Sequence, residues 1–398
     1  MESKVQKKKL GILGDGQLAQ MLVEAAHLLG VEPLVFTPHE QTPAATVAKH
    51  KVIGKVDHPE ELKNFLSQVD VVAFENEFLD TRLLQNAARD LKAKFLPSLE
   101  VLEQLQDKLN QKILFQNFSI ATAHWVPLQK NSQEEIQDLF LKYPKGFVLK
   151  WSRMGYDGKG ILIVSEANSD SLARIQDFIQ EGLKRGAKVY AEEKIDFEQE
   201  VAIIALRSQN GEMLYYPLVH SNQLSGICKK VWGPSVKFGI SEKREEEAQS
   251  YAKKVAEKLG IVGVFALEMF VTKDGKLLVN EAAPRVHNSG HYTQDACQVS
   301  QFENHVRALL GLPLGSTKTE KCFAMLNLLG PEEGIYESPP YEVKKQGNVF
   351  LHWYGKKEIR PLRKVGHLNT VFENNIDLAD RWKEMESLER TWFQKNKK

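Results

Sequence analysis

Two glutamates on either side of a predicted β-hairpin are the residues whose spacing points most directly to chemistry. A two-residue loop at Asp274-Gly275 would pair the flanking strands so that Glu268 lies opposite Glu281. Facing carboxylates repel each other unless a cation lies between them, and ligands that are all oxygen favour magnesium. Solvated glutamates on an exposed hairpin face are the alternative interpretation. Glu268 and Glu281 are therefore the candidate metal ligands.

A polar segment, residues 280–291, follows this hairpin directly. It contains Asn280, Arg285, His287 and Asn288 beside apolar strands, where the packing of a hydrophobic core would not select such residues. An ordinary polar turn is the alternative, but arginine, histidine, asparagine and glutamate side chains converge within this short run. We interpret the segment as a site loop.

A glycine-rich segment, Arg153 to Gly160, lies between two predicted strands and suits a loop that covers phosphates. Its three glycines let backbone amides approach an anion closely, although a glycine-rich turn without a ligand has the same composition. Lys150, at the end of the preceding strand, is better explained by a phosphate partner than by a place among apolar neighbours. The sequence contains no Walker A motif, so an ATP site here would have another design.

A compact basic cluster near the C-terminus, residues 352–367, suits a single phosphate monoester. It combines Arg360, Arg363 and Lys364 with aromatic neighbours. Nucleic acid is a weaker interpretation because the cluster is isolated in a chain with 53 basic and 52 acidic residues, and a solvated charge run is the other alternative. We therefore expect small-molecule partners, with neither nucleic acid nor a membrane.

The elements that must position these residues begin with a βαβ pattern. Leu10 to Leu13 is a predicted strand, Gln17 to Leu29 an amphipathic helix, and Pro33 to Phe36 the next strand. The turn between them lacks the GxGxxG spacing of a dinucleotide site, and no acidic residue ends the second strand. Free amides at the start of the helix near Gln17 are nevertheless suited to a small phosphate.

A chain of 398 residues is long enough for two or three domains. We predict an N-terminal α/β domain over residues 1–98, a central domain over 99–298 with a small lid at about 120–190, and a C-terminal domain over 299–398. Three widely spaced cysteines without a CxxC pair argue against a disulfide framework or a zinc site. With only a brief apolar stretch after the basic start, the cytoplasm is the predicted compartment.

Together these motifs resemble the 5-(carboxyamino)imidazole ribonucleotide synthetase family of ATP-grasp enzymes over nearly the whole chain. Four segments carry the similarity, namely Gly11 to Leu18, Gly155 to Gly160, Ala283 to His291 and Arg363 to His367. The resemblance implies an α/β fold with an α+β core. It comprises an N-terminal βαβ domain, a central ATP-grasp core with a mobile lid, and a small C-terminal domain, commonly assembled as a homodimer.

The resemblance also implies a reaction. ATP and Mg²⁺ would activate bicarbonate as carboxyphosphate, and the exocyclic amine of 5-aminoimidazole ribonucleotide would capture the carboxyl group, in purine biosynthesis. The implied partners are these small molecules, with a possible handover of the product to a carboxyaminoimidazole ribonucleotide mutase. A sibling ATP-grasp enzyme, such as a formate-dependent glycinamide ribonucleotide transformylase, and a non-catalytic nucleotide-binding protein stay as alternatives.

The same resemblance assigns roles to individual residues. Those implied to bind ATP are Lys108, Lys150, Gly155, Tyr156, Asp157, Gly158, Lys159, Gly160, Ile161, Glu192, Glu193, Lys194, Ile195, Glu200, Gln223, Asn280 and Glu281. Those implied to hold the ribonucleotide or bicarbonate are Gln17, Glu75, His287, Asn288, Arg360, Arg363 and Lys364. The implied catalytic residues are Tyr156, Asp157, Arg285 and Lys364. The chain departs from the family pattern at Lys159, where arginine is usual, and at Gln223, where histidine is common.

Overall fold

The computed structural model describes residues 8–129, 132–155, 159–331, 334–335, 348–356 and 358–395. Within these ranges no helix combines the length and the apolar composition needed to cross a bilayer. The first strands are β1 (Leu10–Leu13), β2 (Leu34–Thr37), β3 (His50–Ile53), β4 (Val71–Phe74) and β5 (Lys94–Phe95). The helices among them are α1 (Gln17–Leu28), α2 (Pro43–Val47), α3 (Pro59–Ser67) and α4 (Thr81–Ala88). The strands form a parallel sheet in the order β3-β2-β1-β4-β5.

The carboxylate of Glu75, which directly follows β4, holds the turn between β1 and α1. It accepts hydrogen bonds from the backbone N–H groups of Asp15 at 2.8 Å, Gly16 at 2.6 Å and Leu18 at 3.2 Å. A side-chain carboxylate therefore occupies three of the amides at this turn, where the sequence predicts a small phosphate. Burial raises the pKa of Glu75, against the lowering effect of the Gly16 amide.

We expect Gly16→Ala to lower the free energy of unfolding by about 2–4 kcal/mol, measured by urea denaturation. A Cβ atom at Gly16 would collide with the Glu75 carboxylate and displace it from its amide donors. In a Glu75→Ala background the added methyl group meets no carboxylate, so the same substitution should cost less than about 1 kcal/mol. Equal losses in the two backgrounds would contradict this explanation.

A small antiparallel sheet lies in the middle of the chain, after α5 (Leu99–Leu105) and α6 (Lys108–Asn117). The sequence over residues 99–118 predicts one helical stretch, but the structure has two helices there, because the Asp107 carboxylate caps a new helix start at Asn110 N. The strands of this sheet are β6 (Trp125–Pro127), β7 (Phe147–Trp151), β8 (Ile161–Val164) and β9 (Val189–Glu193), in the order β6-β9-β7-β8. Its helices are α7 (Gln133–Lys142) and α8 (Ser169–Lys184).

A long antiparallel sheet forms the centre of the molecule. Its strands are β10 (Phe197–Arg207), β11 (Met213–Tyr215), β12 (Val219–Leu224), β13 (Ile227–Gly233), β14 (Gly263–Thr272), β15 (Leu277–Ala283), β16 (Cys322–Leu329), β18 (Val349–Trp353) and β20 (Lys364–Phe372). A separate two-stranded pair consists of β17 (Gly334–Ile335) and β19 (Glu358–Ile359). The accompanying helices are α9 (Glu242–Leu259), α10 (Thr293–Ala296), α11 (Gln301–Leu310) and α12 (Leu378–Lys395), with 3₁₀ turns at Ser235–Phe238, Asn288–Gly290 and Asn375–Asp377.

The order of the long sheet is β15-β14-β10-β12-β13-β16-β20-β18, and β11 pairs with β10. Strands of the predicted C-terminal domain thus continue the sheet of the predicted central domain, through pairing of β13 with β16. The domain boundaries given above stay a prediction.

The two faces of the long sheet pack against different helices. On β10, Ile203 lies in the core that contains residues of α9, whereas Ala202 and Ile204 lie in the core that contains residues of α1 and α11. Cross-strand partners share a face, and Glu268 on β14 pairs with Ala202. Glu268 therefore lies on the face turned toward α1 and the N-terminal sheet.

Candidate active site

Glu268 and Glu281 face each other across β14 and β15, as predicted. The predicted two-residue loop is wrong, because Thr272 N–H donates to Lys276 O and the turn therefore holds three residues. The longer turn shifts the register by one residue near the hairpin end. A β-bulge at Asn280 shifts it back, and the two carboxylates meet.

The bulge at Asn280 also decides which face of the sheet Glu281 occupies. Leu277 and Val279 lie in the core that contains residues of α9. Strict alternation would send Glu281 into that same apolar core, since every second residue of a strand shares a face. The extra residue reverses the alternation, so Glu281 joins Glu268 on the polar side.

The two facing carboxylates differ strongly in proton affinity. Burial, with the charges of Glu281 and Glu200, raises the pKa of Glu268 to about 8. Burial would also raise the pKa of Glu281, but the ammonium group of Lys108 outweighs it and lowers that pKa to about 2. Lys108 Nζ lies 2.5 Å from Glu281 Oε2. Near neutral pH the two carboxyl groups therefore share one proton. A bound cation would take the place of that proton between them.

Magnesium fits this donor set. In the described residues no group of three or more histidine, cysteine or acidic side chains is arranged to hold a metal. Mg²⁺ usually takes one or two protein carboxylates together with substrate phosphates, so two facing glutamates beside phosphate-binding groups are sufficient. Glu268 and Glu281 are the residues that would hold it.

A cluster of lysines surrounds Glu192 next to this pair. Lys150 Nζ donates to Glu192 Oε2 at 2.9 Å and to Asn280 Oδ1 at 2.8 Å. Lys112 Nζ lies 3.1 Å from Glu192 Oε1. Burial would raise the pKa of Glu192, but the two ammonium groups hold it below its ordinary value. Burial lowers the pKa of Lys112 to about 8, despite the carboxylate beside it.

Sequence reasoning missed Lys112. Its position was a usable signal, because it lies four residues after Lys108 on α6 and residues at that spacing share a helix face. The side chain is 1% exposed.

Arg285 is held by a residue of the N-terminal part of the chain. Its Nη2 donates to Glu77 Oε1 at 2.9 Å, and its Nε donates to the other oxygen of the same carboxylate. This paired contact fixes the plane of the guanidinium group, which a single hydrogen bond would not do.

The site loop continues with His287 and Asn288. Burial and the charge of Arg285 lower the pKa of His287 to about 3, so the imidazole is neutral, and its Nε2 lies 3.5 Å from Glu268 Oε1. Asn288 Oδ1 accepts from Asn327 Nδ2 at 2.7 Å. Asn288 Nδ2 is buried without a hydrogen-bond acceptor in the part of the chain that the structure describes. A donor in that condition is suited to an anionic ligand.

Lys364, the first residue of β20, completes this side of the cleft. Burial and the charge of Arg285 are the main causes of the low pKa of His287, and the positive charge of Lys364 lowers that pKa further. Lys364 therefore lies near His287. Lys356, which sequence reasoning also missed, donates through Nζ to Gln17 Oε1 at 2.8 Å and to Lys364 O at 2.9 Å. No local pattern distinguishes Lys356 from other surface lysines.

Three family models match successive parts of the chain. They describe a ribonucleotide synthetase preATP-grasp domain at residues 7–106, an ATP-grasp domain at 113–302, and a phosphoribosylaminoimidazole carboxylase C-terminal domain at 324–381. N5-carboxyaminoimidazole ribonucleotide synthase of Synechococcus elongatus is 37% identical over 364 residues, which cover 90% of this chain and 88% of that protein. The chain belongs to the N5-carboxyaminoimidazole ribonucleotide synthase family. The enzyme of Bacillus subtilis is 35% identical over 367 residues, 90% of each chain.

Solved structures of N5-carboxyaminoimidazole ribonucleotide synthases share the fold. The enzyme of Thermus thermophilus superposes with a TM-score of 0.83 at 33% identity, covering 95% of this chain and 98% of that one. The enzyme of Aspergillus clavatus, crystallised with ADP and 5-aminoimidazole ribonucleotide, gives 0.84 at 30% identity, covering 96% and 99%. The predicted ATP-grasp fold with its N-terminal and C-terminal domains is confirmed.

Other residues assigned by resemblance to the N5-carboxyaminoimidazole ribonucleotide synthase family lie in or next to β9, β10 and β12. Glu192 to Ile195 connects β9 of the small sheet to β10 of the long one. Glu200 on β10 lies beside a cavity of about 350 Å³ that Ser221 and Asn222 also line. Gln223 pairs with Cys228 in the adjoining hairpin. Their ligand roles stay predictions.

The remaining assigned residues divide between the lid loop and an exposed turn. Gly155, Lys159, Gly160 and Ile161 lie at the β7–β8 connection, whereas Tyr156, Asp157 and Gly158 fall outside the described residues. Arg360 and Arg363 lie on an exposed turn, where Arg363 Nη1 donates to Glu358 O at 2.8 Å. The structure therefore brings Lys364 near His287 of the site loop, whereas these two arginines are exposed and contact Glu358.

Proposed function

We propose that this protein carboxylates the exocyclic amine of 5-aminoimidazole ribonucleotide, using ATP and bicarbonate, in purine biosynthesis. The products are 5-(carboxyamino)imidazole ribonucleotide, ADP and phosphate. The observation that carries the proposal is the facing pair of Glu268 and Glu281, flanked by Lys108 and Lys150, in a chain of this family. That arrangement supplies what transfer of a phosphoryl group to bicarbonate requires, namely a cation site and positive charge for the phosphate oxygens.

The ATP side of the reaction depends on charge neutralisation. Mg²⁺, when bound, neutralises charge that accumulates on the phosphoryl oxygens. Lys108 and Lys150 bring their ammonium groups to the same place, and the buried surroundings of Lys150 strengthen its attraction for phosphate. The segment Glu192 to Ile195, which joins the small sheet to the long one, is proposed to bind the adenine, as the resemblance to the family implies.

The bicarbonate side depends on Arg285, His287 and Asn288. Arg285 presents an oriented positive charge, and the buried Nδ2 of Asn288 supplies an N–H donor. The neutral imidazole of His287 accepts or donates a hydrogen bond without adding charge. These groups hold the carboxyl group of carboxyphosphate while the amine attacks it, and they exclude water from that labile species.

The ribonucleotide is proposed to lie between the N-terminal and C-terminal parts of the chain. Lys364, Arg360, Arg363 and Gln17 are the candidates for its phosphate, and Lys356 bonds to both Gln17 and Lys364. Glu75 is the candidate near the imidazole amine. Tyr156 and Asp157 are proposed to position the amine and to handle its proton. A homodimer, handover of the product to a mutase, and a cytoplasmic location belong to the same proposal and rest on the resemblance alone.

The deciding experiment measures ADP release from ATP and Mg²⁺, with bicarbonate and 5-aminoimidazole ribonucleotide added singly and then together. We expect strong stimulation by the ribonucleotide and transfer of labelled bicarbonate into an acid-labile product. A folded, ATP-binding protein that shows no stimulation would overturn the proposal. ADP release that instead requires formate and glycinamide ribonucleotide would indicate the transformylase.

The affinity for ADP is expected to rise by up to about tenfold from about pH 6 to about pH 8 because of Glu200. Burial raises the pKa of this carboxyl to about 7, so it is protonated below that pH and ionised above it. Only the ionised form accepts hydrogen bonds from both ribose hydroxyls. ADP affinity is measured by calorimetry at each pH for wild type and for Glu200→Gln. Because protonation of ADP itself affects both proteins equally, the difference between their pH profiles reports Glu200. Glu246→Gln, at an exposed position on α9, should behave as wild type, and a pH dependence that survives in Glu200→Gln would refute the role.

A further inference from the structure

The outer edge of β15 carries one isolated parallel bridge, between Thr122 and Val279, where Val279 N–H donates to Ala121 O at 2.8 Å. Beyond Val279 the same edge is covered by side chains of α6. Gln111 Nε2 donates to Ala282 O at 3.0 Å, and Gln111 Oε1 accepts from Ala282 N–H at 2.8 Å. Lys112 Nζ donates to Asn280 O at 3.0 Å. An uncovered strand edge leaves such backbone groups to water or to another chain. The helix thus takes the hydrogen-bonding role of a neighbouring strand at the position of the bulge.

Asn280 is the extra residue of the bulge and is bound at two points. Its backbone carbonyl accepts from Lys112 Nζ, and its side-chain carbonyl accepts from Lys150 Nζ at 2.8 Å. A bulge leaves its extra residue outside the ladder, so these contacts replace the missing strand partner. Without the bulge Glu281 would point toward the core of α9 instead of toward Glu268.

Oxygen atoms of the protein surround Lys112 Nζ. It donates hydrogen bonds to Asn280 O and to Thr122 Oγ1 at 2.8 Å, and it forms an ion pair with Glu192 Oε1 at 3.1 Å. Burying an ammonium group is costly even when it is paired, and an apolar side chain of similar length would fill the same volume. Packing alone therefore does not account for a lysine at this position.

We propose that Lys112 is a positioning residue that holds the Asn280 bulge and so keeps Glu281 turned toward Glu268. It touches neither substrate nor cation in this scheme, and it acts through the backbone of β15. The choice of ADP and of a divalent cation as ligands rests on the proposed function. The geometry of the bulge is independent of it. A residue that orients a metal ligand in this way typically contributes a factor of about 10–100 in metal affinity.

The test compares wild type with Lys112→Met, which keeps the length of the side chain and removes its charge and donors. Mn²⁺ serves as a spectroscopic substitute for Mg²⁺, and its binding to the protein–ADP complex is measured by electron paramagnetic resonance. We expect Mn²⁺ affinity to fall about tenfold or more, with a matching rise in the KM for Mg²⁺ if the enzyme is active. Lys253→Met, on the exposed face of α9, is the matched control and should bind Mn²⁺ as wild type does.

Global destabilisation would lower the melting temperature without changing the Mn²⁺ affinity of the folded protein, so affinity separates positioning from a merely structural role. A folded Lys112→Met protein with wild-type Mn²⁺ affinity would overturn the proposal. If Lys112→Met does not fold, Lys112→Gln decides, because its shorter, neutral side chain also removes the ammonium group but tolerates polar neighbours. Weakened Mn²⁺ binding in that variant supports the proposal, and unchanged binding overturns it. Absence of carboxylating activity in wild type would count against the proposed function alone.

Discussion

Glu281→Gln is expected to lower kcat by about a hundredfold or more. The amide has the same shape as the carboxylate but carries no charge, so it fails as a metal ligand and loses the ion pair with Lys108 Nζ, 2.5 Å away. Glu268 would lose the like charge that helps to raise its pKa, yet it cannot replace the missing ligand. The measurement is the steady-state rate of ADP release with ATP, bicarbonate and 5-aminoimidazole ribonucleotide at saturation.

Glu246→Gln provides the control for this experiment. It makes the same chemical change on an exposed residue of α9 and should leave kcat unaltered. Near-normal turnover in Glu281→Gln, at saturating Mg²⁺, would remove the carboxylate pair from the mechanism.

Arg285→Lys should reduce kcat/KM for bicarbonate by about a hundredfold while leaving the KM for ATP nearly unchanged. Glu77 binds both edges of the guanidinium group and sets its plane. Lysine keeps the charge and has three N–H donors, but it lacks the planar group that makes the paired contact with Glu77 and presents further N–H groups to an anion in a fixed direction. The measurement is the initial rate, with the concentrations of bicarbonate and ATP varied independently. It separates the effect on bicarbonate from the effect on ATP.

Glu77→Gln tests the orientation of Arg285 without removing its charge. We expect a smaller loss of about tenfold in kcat/KM for bicarbonate, because the amide still accepts one hydrogen bond. Arg89→Lys, on the exposed surface of α4, should be neutral. If Arg285→Lys weakened ATP and bicarbonate to the same extent, a general structural role would be the better explanation.

Elements with strong local patterns were predictable from the sequence. The sequence over residues 242–259 and over residues 301–310 predicts a helix in each range, and α9 and α11 have these bounds in the structure. Each has an amphipathic pattern, and each is followed by a glycine, Gly260 or Gly311, in the left-handed conformation that ends a helix. Local sequence contains all the information that such an element requires.

The pairing of Glu268 with Glu281 was predicted correctly for an incomplete reason. The three-residue turn and the bulge at Asn280 each shift the register by one residue, in opposite directions. The contact from Lys112 to Asn280 O joins residues 168 positions apart, so reasoning over neighbouring residues could not include it. Contacts of that kind also explain why Glu75 was not expected to occupy the turn at Gly16, 59 positions away.

The continuous sheet has a consequence for any attempt to separate the chain into independent pieces. β13 pairs with β16 along four residues, and β16 is buried over its whole length. A fragment ending near residue 298 would expose the edge of β13, and the complementary fragment would expose an apolar strand with an open edge on the same side. Unpaired edges of this type recruit other strands, so both fragments would self-associate instead of behaving as monomeric domains. The last hundred residues are thus required for the solubility of the ATP-binding part, in addition to contributing Lys364 to the cleft.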